Sequence, residues 1–279
     1  MRSGFVSTAR ALSLAAATCM LLAGCGAAKG AANGTGGTTG GSTGGGSVIP
    51  AGATAAAQLK ALKGCTPVTG DQERWLVAAG GANPKYTVPT GSPKVGTTLA
   101  GWPTKPMVTL GDCANTESWT FAAADAKNFY LAVQVDTTLD VVPGTMAAPW
   151  SGDCLQFAFD PQEEQTSGNY GPNDAEMGML LLDGQPPFLF QNVAAGQAET
   201  PVAIAGGNVM ITRKNGITLY EAAIPWSQIG GTVNPTFGFN LAVAAGGAPY
   251  QAPNWGYEWT QGIIENKSPN DFAQLSYKK

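Results

Sequence analysis

Apolar side chains recur at every second position in three stretches of this chain, and that alternation constrains the fold more than any other feature. Phe129, Leu131, Val133 and Val135 form one set, Leu155, Phe157 and Phe159 a second, and Phe237, Phe239, Leu241 and Val243 a third. Successive side chains of a strand point to opposite faces, so each stretch predicts a strand with one face on a core. Turn formers punctuate the remainder. Asp183-Gly184 separates Glu176–Leu182 from Pro187–Gln191, Gly206-Gly207 separates Val202–Ala205 from Val209–Arg213, and Lys214-Asn215-Gly216 precedes Ile217–Ile224. Ser118–Ala123, Asp153–Asp160, Tyr257–Thr260 and Gln274–Tyr277 are further strand candidates. Many short strands with almost no helical periodicity predict an all-β fold, an antiparallel β-sandwich of jelly-roll or immunoglobulin-like type. The one helical expectation is Ala53–Lys63, which is alanine-rich and lacks Gly and Pro.

The N-terminal end reads as a targeting segment. Arg2 and Arg10 give it a basic start, and Ala11–Leu22 is an apolar run too short for a comfortable membrane span. It closes in Leu22-Ala23-Gly24-Cys25, which resembles a bacterial lipobox and implies cleavage before Cys25 and acylation of that cysteine. Each buried acyl methylene contributes about 0.8 kcal/mol, so two or three chains anchor a protein stably. Residues 26–47 hold ten glycines among Thr, Ser, Ala and Asn. Such a segment cannot build a core and is expected to be a disordered tether with a root-mean-square span of roughly 25 Å. The expected organisation is a signal peptide over 1–24, a lipidated Cys25 with a Gly-rich linker over 25–47, and one domain over 48–279. The expected location is the bacterial cell envelope, lipid-anchored at the outer membrane or cell surface.

Composition narrows the function classes. The net charge is −4, and loss of Arg2 and Arg10 takes it to −6. That argues against nucleic acid as a partner, because phosphate binding draws on clustered Lys and Arg. The chain contains no histidine. His-dependent triads, His-ligated zinc and His-ligated haem are therefore excluded. No Gly-x-Ser-x-Gly elbow, phosphate loop or dinucleotide fingerprint is present. Asp153, Asp160, Asp174, Glu176, Glu221 and Glu258 are the carboxylates available for glycosidase chemistry. Scattered acids in a β domain mostly hold turns or face solvent, so no catalytic pair is assigned. Asp160 to Glu164 and Asn173 to Glu176 offer oxygen atoms, but their spacing is not that of an EF-hand, and a solvated loop is the better reading. Beyond Cys25 there are Cys65, Cys113 and Cys154. An exported protein permits a Cys65–Cys113 disulfide, which leaves Cys154 as a buried thiol in its strand.

Seven tryptophans are present. Large aromatics in a sandwich are mostly core, which is the expectation for Trp119, Trp226 and Trp259. Trp150, Trp255 and Tyr250 differ, because they stand in stretches rich in Pro, Gly, Ala and Asn. Sugar rings present an apolar face of C–H groups that stacks on exposed indoles, and neighbouring amides bind the hydroxyls. Gln156, Gln251, Asn254 and Asn266 supply such amides.

Four segments in order carry a resemblance: Asn128 to Asp136; Pro149-Trp150-Ser151-Gly152-Asp153 through Phe159-Asp160; Tyr220 to Ser227; and Phe237 to Val243. Trp259-Thr260, Lys267-Ser268-Pro269, Phe272 and Leu275 follow the same pattern. Together they resemble the family 9 carbohydrate-binding modules and their DOMON-like relatives over about residues 115–277. The resemblance implies a non-catalytic β-sandwich, and the residues themselves assign no cofactor or metal. It also implies a poly- or oligosaccharide ligand and association with secreted glycan-degrading enzymes. By position it places Trp150 as a stacking ring, Gln156 where a sugar-binding glutamate stands, Gly178 near an arginine position and Asn266 near a second clamp tryptophan. Trp255 or Tyr250 takes over that second ring. Two other readings are a haem-binding electron-transfer subunit, with Met177, Met179 and Met210 as available ligands, and a structural surface lipoprotein without a small ligand.

Overall fold

The computed structural model describes residues 74–77, 83–96, 99–112, 116–137, 149, 152–165, 168–193, 202–204, 207–214, 217–229, 234–245, 255–264 and 267–278. Their strands are β1 (Arg74–Val77), β2 (Lys85–Thr87), β3 (Val108–Asp112), β4 (Thr116–Ala124), β5 (Asn128–Thr137), β6 (Cys154–Asp160) and β7 (Ala175–Leu180). There follow β8 (Phe188–Val193), β9 (Val202–Ala203), β10 (Asn208–Lys214), β11 (Ile217–Pro225), β12 (Thr236–Ala245), β13 (Trp255–Glu258) and β14 (Ala273–Ser276). Short 3-10 turns, Trp226–Gln228 and Pro269–Asp271, precede β12 and β14. Every stretch read as a strand from sequence is one, with ends displaced by no more than two residues. The Ala53–Lys63 helix, the tether and Cys25 lie outside the described residues, as do Cys65 and Cys113.

The strands form two sheets. One has nine strands in the order β1-β13-β12-β6-β7-β8-β9, with β14 beside β12 and β2 beside β14. The other has five, in the order β10-β11-β5-β4-β3. Pairing is antiparallel except for β1 with β13 and β2 with β14, which run parallel. One edge of β12 carries β13 along Ala242–Ala245 and β14 along Thr236–Phe239, and its other edge carries β6. The Asp183-Gly184 turn joins β7 to β8, with Gly184 at a φ of 68° and Gln185 N–H donating to Leu182 C=O at 3.1 Å. Glycine is suited to that backbone because a Cβ would be strained there. The chain passes from the larger sheet at β9 to the smaller at β10.

The alternation read from sequence builds the core between the sheets. Phe129 of the small sheet meets Phe159 and Phe239 of the large one, each at 5.4 Å between ring centroids. Phe159 and Phe239 lie 5.1 Å apart, and Phe237 closes the group. All four are fully buried. Burial of one such ring contributes roughly 1.5–3 kcal/mol, and edge-to-face or tilted contacts add to it. Trp226 packs its 3-10 turn onto this core, stacked on Tyr277 at 4.8 Å, while its Nε1–H donates to Asp125 C=O at 2.9 Å.

The small sheet is apolar on both faces. In β4 the small and polar residues Ser118, Thr120, Ala122 and Ala124 take the inner side, while Trp119 and Phe121 take the outer one. Trp119 is fully buried, as expected, but in a second apolar cluster with Trp102, Phe121 and Tyr130 on that outer face. Apolar rings directed outward need a cover, and residues 89–96 and 99–107 provide one. This strap is fastened at its ends by Gly91 N–H to Ala124 C=O, Ala124 N–H to Pro89 C=O and Met107 N–H to Thr120 C=O. Trp102 meets Tyr130 edge-on at 6.5 Å. Three strands escaped the sequence reading: β1, β2 and β3. β2 has only three residues, and β3 contains glycine, so neither shows a legible period.

Candidate functional site

The outer face of the nine-stranded sheet carries the other set of alternating residues. Register aligns Ala242, Gln156, Gly178 and Phe190 in a row across β12, β6, β7 and β8. The adjacent row holds Asn240, Ala158 and Glu176. Asn192 and Glu258 continue the polar band on β8 and β13. These amides and carboxylates are buried, so each needs a partner.

Glu176 is the hub. Its carboxylate is fully buried, and Oε1 accepts from Asn192 Nδ2 at 2.7 Å and from Gln156 Nε2 at 3.5 Å. Oε2 accepts from Tyr170 OH and Lys267 Nζ, both at 2.7 Å. The Lys267 ammonium donates also to Ile263 C=O at 2.8 Å and lies 5.8 Å from the Tyr170 ring centroid. Burial, then the neighbouring Glu176 charge, raises the Tyr170 phenol well above its ordinary range.

A second group holds the turn after β13. Asn240 Nδ2 donates to Glu258 Oε1 at 2.8 Å and reaches Thr260 C=O at 3.1 Å, while Asn240 Oδ1 accepts Thr260 N–H at 3.0 Å. Ile263 N–H donates to Glu258 Oε1 at 2.6 Å. Burial pushes the Glu258 carboxyl up to about 7, against the pull of the Ile263 and Ile264 amides, Asn240 and Lys267. Gly262, at a φ of 119°, permits the turn that delivers Lys267 to Glu176, and a Cβ there would lie 2.4 Å from Ser268 O.

Among the residues singled out from sequence, Gln156 is on this face, 4% exposed, bonded to Glu176. The backbone of Trp255 runs in β13, paired with Ala245 and Arg74, and β12 separates it from the strand of Gln156. Trp150, Tyr250, Asn266, Gln251 and Asn254 lie outside the described residues. At Gly178 no side chain fits. A Cβ would lie 2.3 Å from the Phe190 ring and 2.5 Å from Leu155 O, so the arginine that the resemblance suggests has no room at this position. The roles of Asn192, Tyr170, Lys267 and Asn240 were missed. Each comes from a different strand or loop, and no local spacing marks them as neighbours.

The remaining candidates have structural roles. Asp160 holds a turn, accepting Glu164 N–H at 2.9 Å and Gln165 N–H at 2.8 Å. It approaches Glu164 and Asp174 closely, within the loop where Glu163 and Gln165 have positive φ. Asp153 pairs with Arg213 at 3.3 Å. Met177 and Met179 are fully buried in the main core among apolar residues. Cys154 is a free thiol, fully buried, and burial pushes its pKa up, with Glu176 and Asp153 adding to the shift. Glu221 lies mid-strand on the outer face of the small sheet, beneath the strap.

No protein-family model matches the sequence, and no curated protein does. Solved structures share the fold. A family 9 carbohydrate-binding module from Caldicellulosiruptor kristjanssonii, in complex with cellotriose, is 14% identical with a TM-score of 0.50. The match covers 70% of this chain and 93% of the module. A structure of a family 9 module from the same organism with glucose gives the same identity and TM-score, over 70% of this chain and 95% of that one. The chain therefore has a fold like that of family 9 carbohydrate-binding modules.

Proposed function

We propose that this domain binds carbohydrate without transforming it, on the outer face of the nine-stranded sheet around Gln156. The observation that carries the reading is a buried band of amides and carboxylates on one sheet face, in a fold shared with modules solved with cellotriose and glucose. Sugar recognition calls for fixed donors and acceptors beside apolar surface, and such a band supplies the first. Trp150, Trp255 and Tyr250 supply the stacking rings, and Asn266, next to Lys267 in the chain, supplies a further amide. The saturated oxygens of Glu176 fit a binding role better than proton transfer. In this proposal Cys25 carries the lipid, residues 26–47 hold the domain off the envelope surface, and the partners are glycan-degrading enzymes acting on the same polymer.

The test is a titration of the purified protein with a panel of oligosaccharides that includes cellotriose, followed by indole fluorescence. Saturable binding that Trp150→Ala or Gln156→Ala abolishes supports the proposal. No response to any saccharide counts against it.

A further inference from the structure

The Glu176 carboxylate takes donors from four separate parts of the chain: Gln156 on β6, Asn192 on β8, Tyr170 in the loop before β7, and Lys267 after β13. A carboxylate in this position only accepts, so it dictates how each amide is turned. Asn192 presents Nδ2 to it, and Gln156 presents Nε2. Their carbonyl oxygens therefore point away from Glu176. Asn192 Oδ1 is buried and has no hydrogen-bond partner among the described residues. A buried acceptor left unmatched is destabilising, and a ligand hydroxyl or a water molecule offsets that loss.

The same geometry constrains position 156. A glutamate there would bring a second carboxylate to about the 3.5 Å that now separates Gln156 Nε2 from Glu176 Oε1. Two like charges that close, out of water, do not both ionise. An amide satisfies the hub where an acid would oppose it.

We infer that Glu176 is a positioning residue for this face, requiring an amide at position 156 and orienting Gln156 and Asn192 as hydroxyl acceptors. The inference rests on the carbohydrate reading for its ligand but not for its geometry.

The experiment is a double-mutant cycle on the full chain with Glu176→Gln, Gln156→Glu and the two combined. Three readouts are taken: Tm, the side-chain amide signals of Gln156 and Asn192 by NMR, and affinity for cellotriose. Gln156→Glu alone is expected to lower Tm at pH 7.5 and to recover part of that loss at pH 5, where one carboxylate takes a proton. Glu176→Gln is expected to move both amide signals and to weaken cellotriose binding about tenfold or more. The combined variant, which returns one acid and one amide to the pair, is expected to lie closer to the natural chain in Tm than the sum of the single changes predicts. Additive Tm changes, or amide signals unmoved by Glu176→Gln, would overturn the inference whatever the ligand. Failure of the natural chain to bind any saccharide, with the cycle still coupled, overturns the carbohydrate reading and leaves the orienting role of Glu176 supported.

Discussion

The indole Nε1 of Trp102 donates to Glu221 Oε1 at 3.1 Å, fastening the strap to the middle of β11. Gly96 N–H donates to the other carboxylate oxygen at 3.3 Å. Glu221 is fully buried, so these two bonds take the place of water. Trp102→Phe keeps a ring in the cluster but leaves one carboxylate oxygen without its donor. Loss of roughly 1–3 kcal/mol of stability is expected, measured by urea denaturation. An unchanged midpoint would mean that the strap is held by its apolar contacts alone.

The pH dependence of stability follows from three carboxyl groups. Burial pushes Glu221 and Glu258 up to about 7, against hydrogen bonds that favour their ionised forms. A carboxyl whose folded pKa is raised contributes stability that is full below its unfolded value and is lost as pH rises through the folded one. Both groups therefore lower stability between about pH 4.5 and pH 7. Asp125 acts in the opposite sense. Desolvation raises its pKa, but hydrogen bonds from Ser92, Tyr130 and the Lys127 and Asn128 amides together outweigh it and bring it down to about 2. Its contribution is present above pH 3.8 and is lost as pH falls toward about 2. Thermal melting across pH 2–8 is expected to give a maximum near pH 4–4.5. Glu221→Gln is expected to flatten the neutral side, and Asp125→Asn the acid side.

Gly178 has no space for a side chain. A methyl group there meets the Phe190 ring, which can shift, and Leu155 O in the neighbouring strand, which cannot without opening the β6–β7 ladder. Gly178→Ala is expected to cost roughly 1–3 kcal/mol. Shortening Phe190 to Leu in the same chain is expected to recover only part of that. Full recovery would show that the ring, and not the backbone contact, sets the cost.

Phe129 of the small sheet touches Phe159, Phe237 and Phe239 of the large one, and Trp226 at the end of β11. Phe129→Ala is expected to cost roughly 3–5 kcal/mol in chemical denaturation, as for other large-to-small changes in packed cores. A loss under about 1 kcal/mol would place the principal inter-sheet contact elsewhere.

The strands that pack on the main core were legible because period-two alternation is a local signal. It marked β5, β6 and β12 through Phe129, Phe157 and Phe239 and their neighbours. The same signal marks β4 as a strand but does not say which of its faces meets the other sheet. Trp119 and Phe121 alternate as a core face does, and only the strap, distant in sequence, explains why they point outward. Of the buried polar band, Gln156 alone was singled out as a sugar-binding position from sequence, through the resemblance. Tyr170, Asn192 and Lys267 were not legible, because their meeting at Glu176 depends on the pairing of β6, β7 and β8 and on the turn at Gly262. Polar residues brought together by topology leave no spacing to read.

The central claim is that saccharide binds on the outer face of the nine-stranded sheet. Backbone and side-chain amide NMR of the protein during titration with cellotriose tests it most directly. The account predicts saturable shifts concentrated at Gln156, Gly178, Asn192, Gly262 and Lys267, with Trp102 and the rest of the strap unmoved. Shifts confined to the five-stranded sheet, or no shifts with cellotriose or any other saccharide of the panel, would contradict it.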